Sequence, residues 1–218
     1  MSKIDGRRPI GARKSGWAQA IARRLASSSI TPNQISIASI AFAAMAGAAF
    51  FFAGTSNGAA RIALLIAGAL GCQARLLCNL FDGMVAVEGG KATKDGSFWN
   101  EVPDRIADIV ILVGAGYGVA AAGFIDADLG WAAATFAVLT AYVRELGRAS
   151  GAPADYSGPM AKPHRMAAIT AGAGLALFEP LWGWSGHSLA LALAIVAIGS
   201  AFTAVRRAAR LVRALRAS

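Results

Sequence analysis

The sequence predicts an all-α integral membrane protein with six transmembrane helices behind a short interfacial amphipathic N-terminal helix. Three observations predict it. Hydrophobic residues make up 56% of the 218 and charged residues 15%, whereas ordinary soluble domains carry about 25% charged residues. Mean hydropathy is +0.52. Apolar runs recur between short polar turns, and the longest of them suffice to cross a bilayer core of about 30 Å. The same composition excludes a disordered chain, because it can bury ample apolar surface. Cys72 and Cys78 fit neither a disulfide scaffold nor a zinc site and are expected as small hydrophobes of the interior.

The elements follow in order. Trp17, Ile21 and Leu25 recur every four residues beside Arg23 and Arg24, the pattern of a helix lying in the membrane interface. Arg7, Arg8, Arg13 and Lys14 precede it, but no apolar run follows promptly enough for a secretory signal. Thr31-Pro32-Asn33-Gln34 reads as a helix start, with Thr at the N-cap, Pro at N1 and Gln reaching back from N3. Apolar spans are then predicted over 35–52, 59–80, 109–125 (its helix starting near Gly96), 131–143 (extending to about Ser150), 166–178 and 188–205. Turns fall at 54–58, 126–128 and 182–186. Gly114, Gly116, Gly118, Gly172 and Gly174 allow close helix approach.

Charge sets the direction. With both termini on one side, 20 of the 21 lysines and arginines fall on that side and only Arg61 on the other, beside Asp126, Asp128 and Glu179. The asymmetry predicts cytoplasmic termini. It also accounts for the +9 net charge as topology and attraction to anionic membrane lipid. No nucleic-acid motif accompanies the basic residues, so no nucleic-acid partner is expected. The organisation is therefore an interfacial segment over 1–30, a six-helix domain over 31–207, and a basic cytoplasmic tail over 208–218. Basic cytoplasmic helix ends on so compact a chain suit a bacterial inner membrane.

Residues 79–108 carry the chemistry. Asn79 and Asp82 share one helix face, and Asn100, Asp104 and Asp108 share a face of the next, with Glu101 alongside. A hairpin turns these faces toward each other. Acids grouped at membrane depth either pair or hold a cation. Oxygen ligands without His or Cys suit a hard ion, Mg²⁺ or Mn²⁺. The other reading is a set of interfacial salt bridges to Arg75, Arg105, Lys91 and Lys94. A second group, Arg144, Arg148, Lys162 and Arg165, brackets the turn after the fourth span. It reads either as a phosphate pocket or as the ordinary excess of cations on a cytoplasmic face. His164 and His187 read as interfacial residues, and Trp182 and Trp184 as belt anchors.

The segment resembles the signature of the CDP-alcohol phosphatidyltransferases, Asp-x2-Asp-Gly-x2-Ala-Arg-x8-Gly-x3-Asp-x3-Asp. It falls without a gap on Asn79, Asp82, Gly83, Ala86, Val87, Gly96, Asn100 and Asp104. Thr31-Pro32-Asn33-Gln34 also resembles that family's motif before the first span. Three positions depart: Asn79 and Asn100 replace aspartates, and Val87 replaces the arginine. In that family the first three aspartates bind two divalent ions and the fourth is the base toward the acceptor hydroxyl. The resemblance thus implies Asp104 as the base and Asp82, Asn79 and Asn100 as ligands. Glu101 and Asp108 join them as ligands and restore charge in a rearranged site, and the cofactor is Mg²⁺ or Mn²⁺.

It further implies a CDP-diacylglycerol-like donor against Gly83, Ala86, Gly96 and Asn33. Arg75, Lys91 and Lys94 take the contacts of the missing arginine. An alcohol or phosphorylated alcohol is the acceptor, its phosphate held by Arg144, Arg148, Lys162 and Arg165. A metal ion would polarise a phosphoryl oxygen and stabilise the departing CMP, and Asp104 would accept the acceptor's proton. Such proteins commonly form homodimers. Two other functions compete with this transferase. One is a degenerate member that binds CDP-lipid or anionic lipid without turnover. The other is a small ion-coupled transporter, which the one-sided position of the acids disfavours.

Overall fold

The computed structural model describes Arg13 and residues 15–217. Arg7, Arg8 and Lys14 of the predicted N-terminal segment lie outside the described residues, as does Ser218 of the tail. Seven α-helices follow in order: α1 Gly16–Ala26, α2 Pro32–Thr55, α3 Gly58–Val87, α4 Gly96–Ala121, α5 Asp128–Ala149, α6 Lys162–Ala176 and α7 His187–Ala217. A single 3₁₀ turn, Glu179–Trp182, joins α6 to α7. No strand occurs among the described residues.

The start of α2 is built as its sequence dictates. Thr31 Oγ1 accepts from Gln34 N, and the Gln34 side chain accepts from Thr31 N at 3.0 Å. Pro32 follows at N1. Two orphan donors are thereby satisfied at a helix end that must be sharply placed. α2, α3 and α7 are each long and apolar enough to cross a membrane. α4 carries Glu101, Asp104, Arg105 and Asp108 in its first half. α6 has only 15 residues, about 22 Å of helix, and the 3₁₀ turn extends its path.

α2 packs along both α3 and α4, α5 lies against α4 and α7, and α6 closes against α3 and α7. Glycine permits the α2–α4 approach. A Cβ on Gly114 would meet the Gly47 carbonyl oxygen at 2.4 Å, and one on Gly54 would meet that of Gly118 at 1.9 Å. Gly172 likewise faces Ala192 and Ser188 of α7, whereas a Cβ on Gly174 would meet nothing within 4 Å. Gly174 therefore serves no close crossing, contrary to the sequence expectation.

Large apolar side chains cover the exterior as well as the core. Ile37, Phe42, Phe52, Ile66, Leu70, Ile198 and Phe202 face outward, while Arg75, Asp82, Asp104, Asp108, Arg165 and Arg207 are buried. An apolar exterior around an apolar core, with charged groups sealed between the helices, suits a hydrocarbon solvent. In α1 the buried residues are Ala18 and Ala22, which cluster with Phe81 and Met84 of α3. Trp17 meets the Phe81 ring edge-on at 6.2 Å, but Trp17 and Ile21 otherwise face outward. At the far end, Arg61 pairs with Glu179 at 2.5 Å and donates to Ala176 O at 3.0 Å. Glu179 also accepts from Ser188 N at 2.6 Å and Gly186 N at 2.9 Å. This buried clamp ties the start of α3 to the α6–α7 turn.

Candidate active site

The site forms where the C-terminal half of α3, the N-terminal half of α4 and the N-terminus of α6 meet. Asp82 and Asp104 are both buried there, 4% and 6% exposed. Asp82 Oδ2 accepts from Ser36 Oγ of α2 at 2.7 Å, and its Oδ1 accepts from Gly83 N at 2.5 Å. These bonds fix the carboxylate against α2. Asp104 Oδ2 accepts from Lys162 Nζ, and Arg75 stands 3.6 Å from its Oδ1.

Asp108, one turn deeper, is fully buried between two guanidiniums: Arg75 at 2.8 Å and Arg165 at 2.6 Å. Arg75 also donates to Asp104 O at 3.1 Å, and Arg165 to Met160 O at 3.2 Å. This arrangement stitches α3, α4 and α6 together. A buried carboxylate shared in this way holds the helices in register, and both its oxygens are already engaged.

Glu101 points toward α5, pairing with Arg105 and with Arg144 at 2.5 Å. Asn100 is exposed, and its amide lies 3.4 Å from Glu101 Oε1. Arg144 also bonds Glu145 at 2.8 Å and stacks over the Tyr156 ring at 5.3 Å. Arg148 pairs with Glu145 at 3.1 Å on the surface. The four cations grouped by sequence therefore divide. Lys162 and Arg165 go to the aspartates, while Arg144 and Arg148 go to glutamates.

Arg144 instead lines a cavity of about 280 Å³ with Asp155, Arg207 and Arg210. Arg207 donates to Thr140 O at 2.8 Å and Ser157 O at 2.9 Å, and Arg210 to Ser157 Oγ at 2.7 Å. The sequence reading ended the six-helix domain at Arg207 and put Arg210 in the tail. Their spacing of three along α7 is the signal that places them on one face.

The α3–α4 connection folds onto the α1–α2 linker. Lys91 Nζ donates to Ser28 O at 2.6 Å and Ile30 O at 3.2 Å. Asn33 Nδ2 donates to Asp95 Oδ2 at 3.3 Å, and Trp99 Nε1 to the same oxygen at 2.9 Å. Bonds from the Thr93 hydroxyl, the Trp99 indole and Asn33 hold the Asp95 carboxyl below its usual range. Lys91 and Asn33 thus shape the loop beside the site, and Lys94 is exposed on it. Gly83 and Ala86 lie on α3 next to Asp82, and Gly96 opens α4.

Two buried polar atoms on adjoining helices are unpartnered. Asn79 Nδ2 and Asp104 Oδ1 are buried without a hydrogen-bond partner. Turning the Asn79 amide over presents its oxygen in place of that nitrogen, a good ligand for Mg²⁺ or Mn²⁺. Among the described residues no three His, Cys, Asp or Glu side chains gather closely enough to hold a metal. An ion here thus relies on amide and substrate oxygens as well as Asp82. The donor set fits one such ion and is too sparse in free carboxylates for two.

No family model and no curated protein matches the chain. Solved structures do. The chain is similar to phosphatidylinositol phosphate synthase of Mycobacterium tuberculosis with CDP-DAG bound, at TM-score 0.74 and 24% identity, over 90% of this chain and 94% of that one. The same enzyme in complex with manganese and citrate aligns at TM-score 0.72 and 24% identity, over 89% and 88%. Its apo form aligns at TM-score 0.68 and 25% identity, over 86% and 92%. The likeness shows a shared fold along nearly the whole length of both chains.

Proposed function

We propose that the chain is a membrane phosphatidyltransferase that moves a phosphatidyl group from a CDP-diacylglycerol-like donor to an alcohol, releasing CMP. One observation carries the reading. Asp82 on α3 and Asp104 on α4, at signature positions met in sequence as a gap-free spacing, are buried carboxylates within a fold shared with a CDP-DAG-bound synthase. In this reading α2 to α7 are six spans, with α1 in the cytoplasmic interface and both termini and the site cytoplasmic. The membrane is a bacterial inner membrane, and the working form is a homodimer.

The residues divide the work. Asp82 and the Asn79 amide would hold a divalent ion, with Asn100 at the rim. When bound, that ion supplies neutralisation of the donor diphosphate and of the departing CMP. Asp104 keeps Oδ1 free of hydrogen bonds, and this oxygen takes the proton of the attacking hydroxyl. The acceptor oxygen then bonds to the phosphatidyl phosphorus as the bond to CMP breaks. Asp108, Arg75 and Arg165 position Asp104 through the α3–α4–α6 clamp. Glu101 acts likewise by orienting Arg144.

A phosphorylated alcohol fits the cavity lined by Arg144, Arg207 and Arg210, where guanidiniums match phosphate oxygens. Gly83, Ala86 and Gly96 flank the donor without side-chain bulk, and Lys94 faces its diphosphate side. The test is CMP release from CDP-diacylglycerol by purified protein in detergent, with Mg²⁺ or Mn²⁺ and a panel of free and phosphorylated alcohols. The reading expects release with one acceptor class, abolished by EDTA and by Asp104→Asn. Donor binding without release from any acceptor would replace the transferase with a CDP-lipid binder, for which Asn79 and Asn100 would be the cause.

A further inference from the structure

The cation nearest the two site carboxylates belongs to the chain itself. Lys162, the first residue of α6, bonds Asp104 Oδ2. Its stem is mostly buried, with the side chain 23% exposed. Asp104 and Asp108 pair with Arg75, Lys162 and Arg165, and Asp82, held by Ser36 and Gly83, supplies the third buried negative charge of the α3–α4–α6 junction. The group is neutral before any ion arrives.

That neutrality limits what the site can accept. One divalent ion adds two positive charges, which a bound diphosphate offsets. A second ion would leave two charges unmatched and would sit against the Lys162 ammonium, where like-charge repulsion is strong in a buried setting. Asn79 and Asn100 point the same way, since amide oxygens coordinate without contributing negative charge. Taking the transferase reading as its basis, we infer that Lys162 is a built-in cation that replaces a second divalent ion at Asp104, and that each chain binds one ion. A lysine suits this place because its ammonium is a compact point charge on a flexible stem. It engages Oδ2 of Asp104 and leaves Oδ1, 3.6 Å from Arg75, without a hydrogen bond.

The test is Mn²⁺ binding to the full-length protein in detergent, followed by the electron paramagnetic resonance of free Mn²⁺, with CDP-diacylglycerol binding measured in parallel. Wild type takes up one Mn²⁺ per chain. Lys162→Met binds Mn²⁺ about tenfold more tightly, since it removes a positive charge beside the ion, and Lys162→Arg behaves as wild type. Two Mn²⁺ in wild type would overturn the inference, and this result depends on no variant. Unchanged or weaker affinity in Lys162→Met would overturn it too, as would absence of Mn²⁺ binding in both proteins. Should Lys162→Met fail to fold, Lys162→Gln replaces it with the same expectation. Loss of the transferase reading is a separate outcome, marked by wild type that neither binds CDP-diacylglycerol nor releases CMP.

Discussion

Arg165 reaches Asp108 at 2.6 Å across the α4–α6 interface, and both side chains are almost fully buried. With Arg75 on the other oxygen at 2.8 Å, this pairing fixes the depth at which Asp104, one turn above, meets Lys162. The relation separates two kinds of acid within one segment. Asp108 holds helices, whereas Asp104 keeps an oxygen open.

Asp108→Asn therefore acts on stability first. Leaving two guanidiniums without their shared carboxylate costs about 3–5 kcal/mol. The expected result is a markedly lower thermal denaturation midpoint in detergent. Asp104→Asn, at a more accessible position, is expected to keep most of the midpoint while losing CMP release. Equal midpoints for Asp108→Asn and wild type would show that the clamp is dispensable.

Gly114 tests the close helix crossing. Gly114→Val drives side-chain atoms into the Gly47 backbone, and overpacking of this kind costs about 1–3 kcal/mol or more. Gly174→Ala, with open space around it, leaves the midpoint unchanged or slightly raised. A tolerant Gly114 would mean that α2 and α4 separate readily.

The arginines of the former phosphate group part company in kinetics. Arg144→Ala opens the cavity wall and leaves Glu101 to Arg105 alone, so KM for a phosphorylated acceptor rises about tenfold or more with a smaller change in kcat. Arg148→Ala, on an exposed surface pair, changes neither by more than about twofold. Equal effects at the two positions would place the acceptor elsewhere.

The Asp95 latch is pH-dependent with a defined sign. Its carboxyl titrates below the ordinary aspartate value because Thr93, Trp99 and Asn33 donate to it. The latch is thus fully held above that ordinary value and loosens as pH falls through the lowered one. Limited proteolysis of residues 88–95 is expected to accelerate only in that acidic window. Asp95→Asn is expected to show faster cleavage already at neutral pH and no acid step.

Much of this architecture was legible in the sequence, and the reasons differ by element. Helix positions followed from charge-free runs and from the Thr31–Gln34 start, because the solvent for these helices rewards unbroken apolar length. The placing of Asp82 late in α3 and Asp104 early in α4 followed from local spacing on either side of a short loop. What stayed hidden depends on distant chain. Lys162 and Arg165 reach α4 only once α6 is packed against α3, so their partners could not be read from neighbouring residues. Arg61 and Glu179 were both placed at the far surface, but their pairing needs the α6–α7 turn to fold back. Lys91 looked like a donor contact until the loop set it against the Ser28 and Ile30 carbonyls.

The most direct test of the central claim is anomalous diffraction from crystals grown with Mn²⁺ and CDP-diacylglycerol. The account predicts one anomalous peak per chain between Asp82, Asn79 and the donor diphosphate, with Lys162 still on Asp104. A CDP-lipid bound away from the α3–α4 end, or no peak near Asp82, would contradict it.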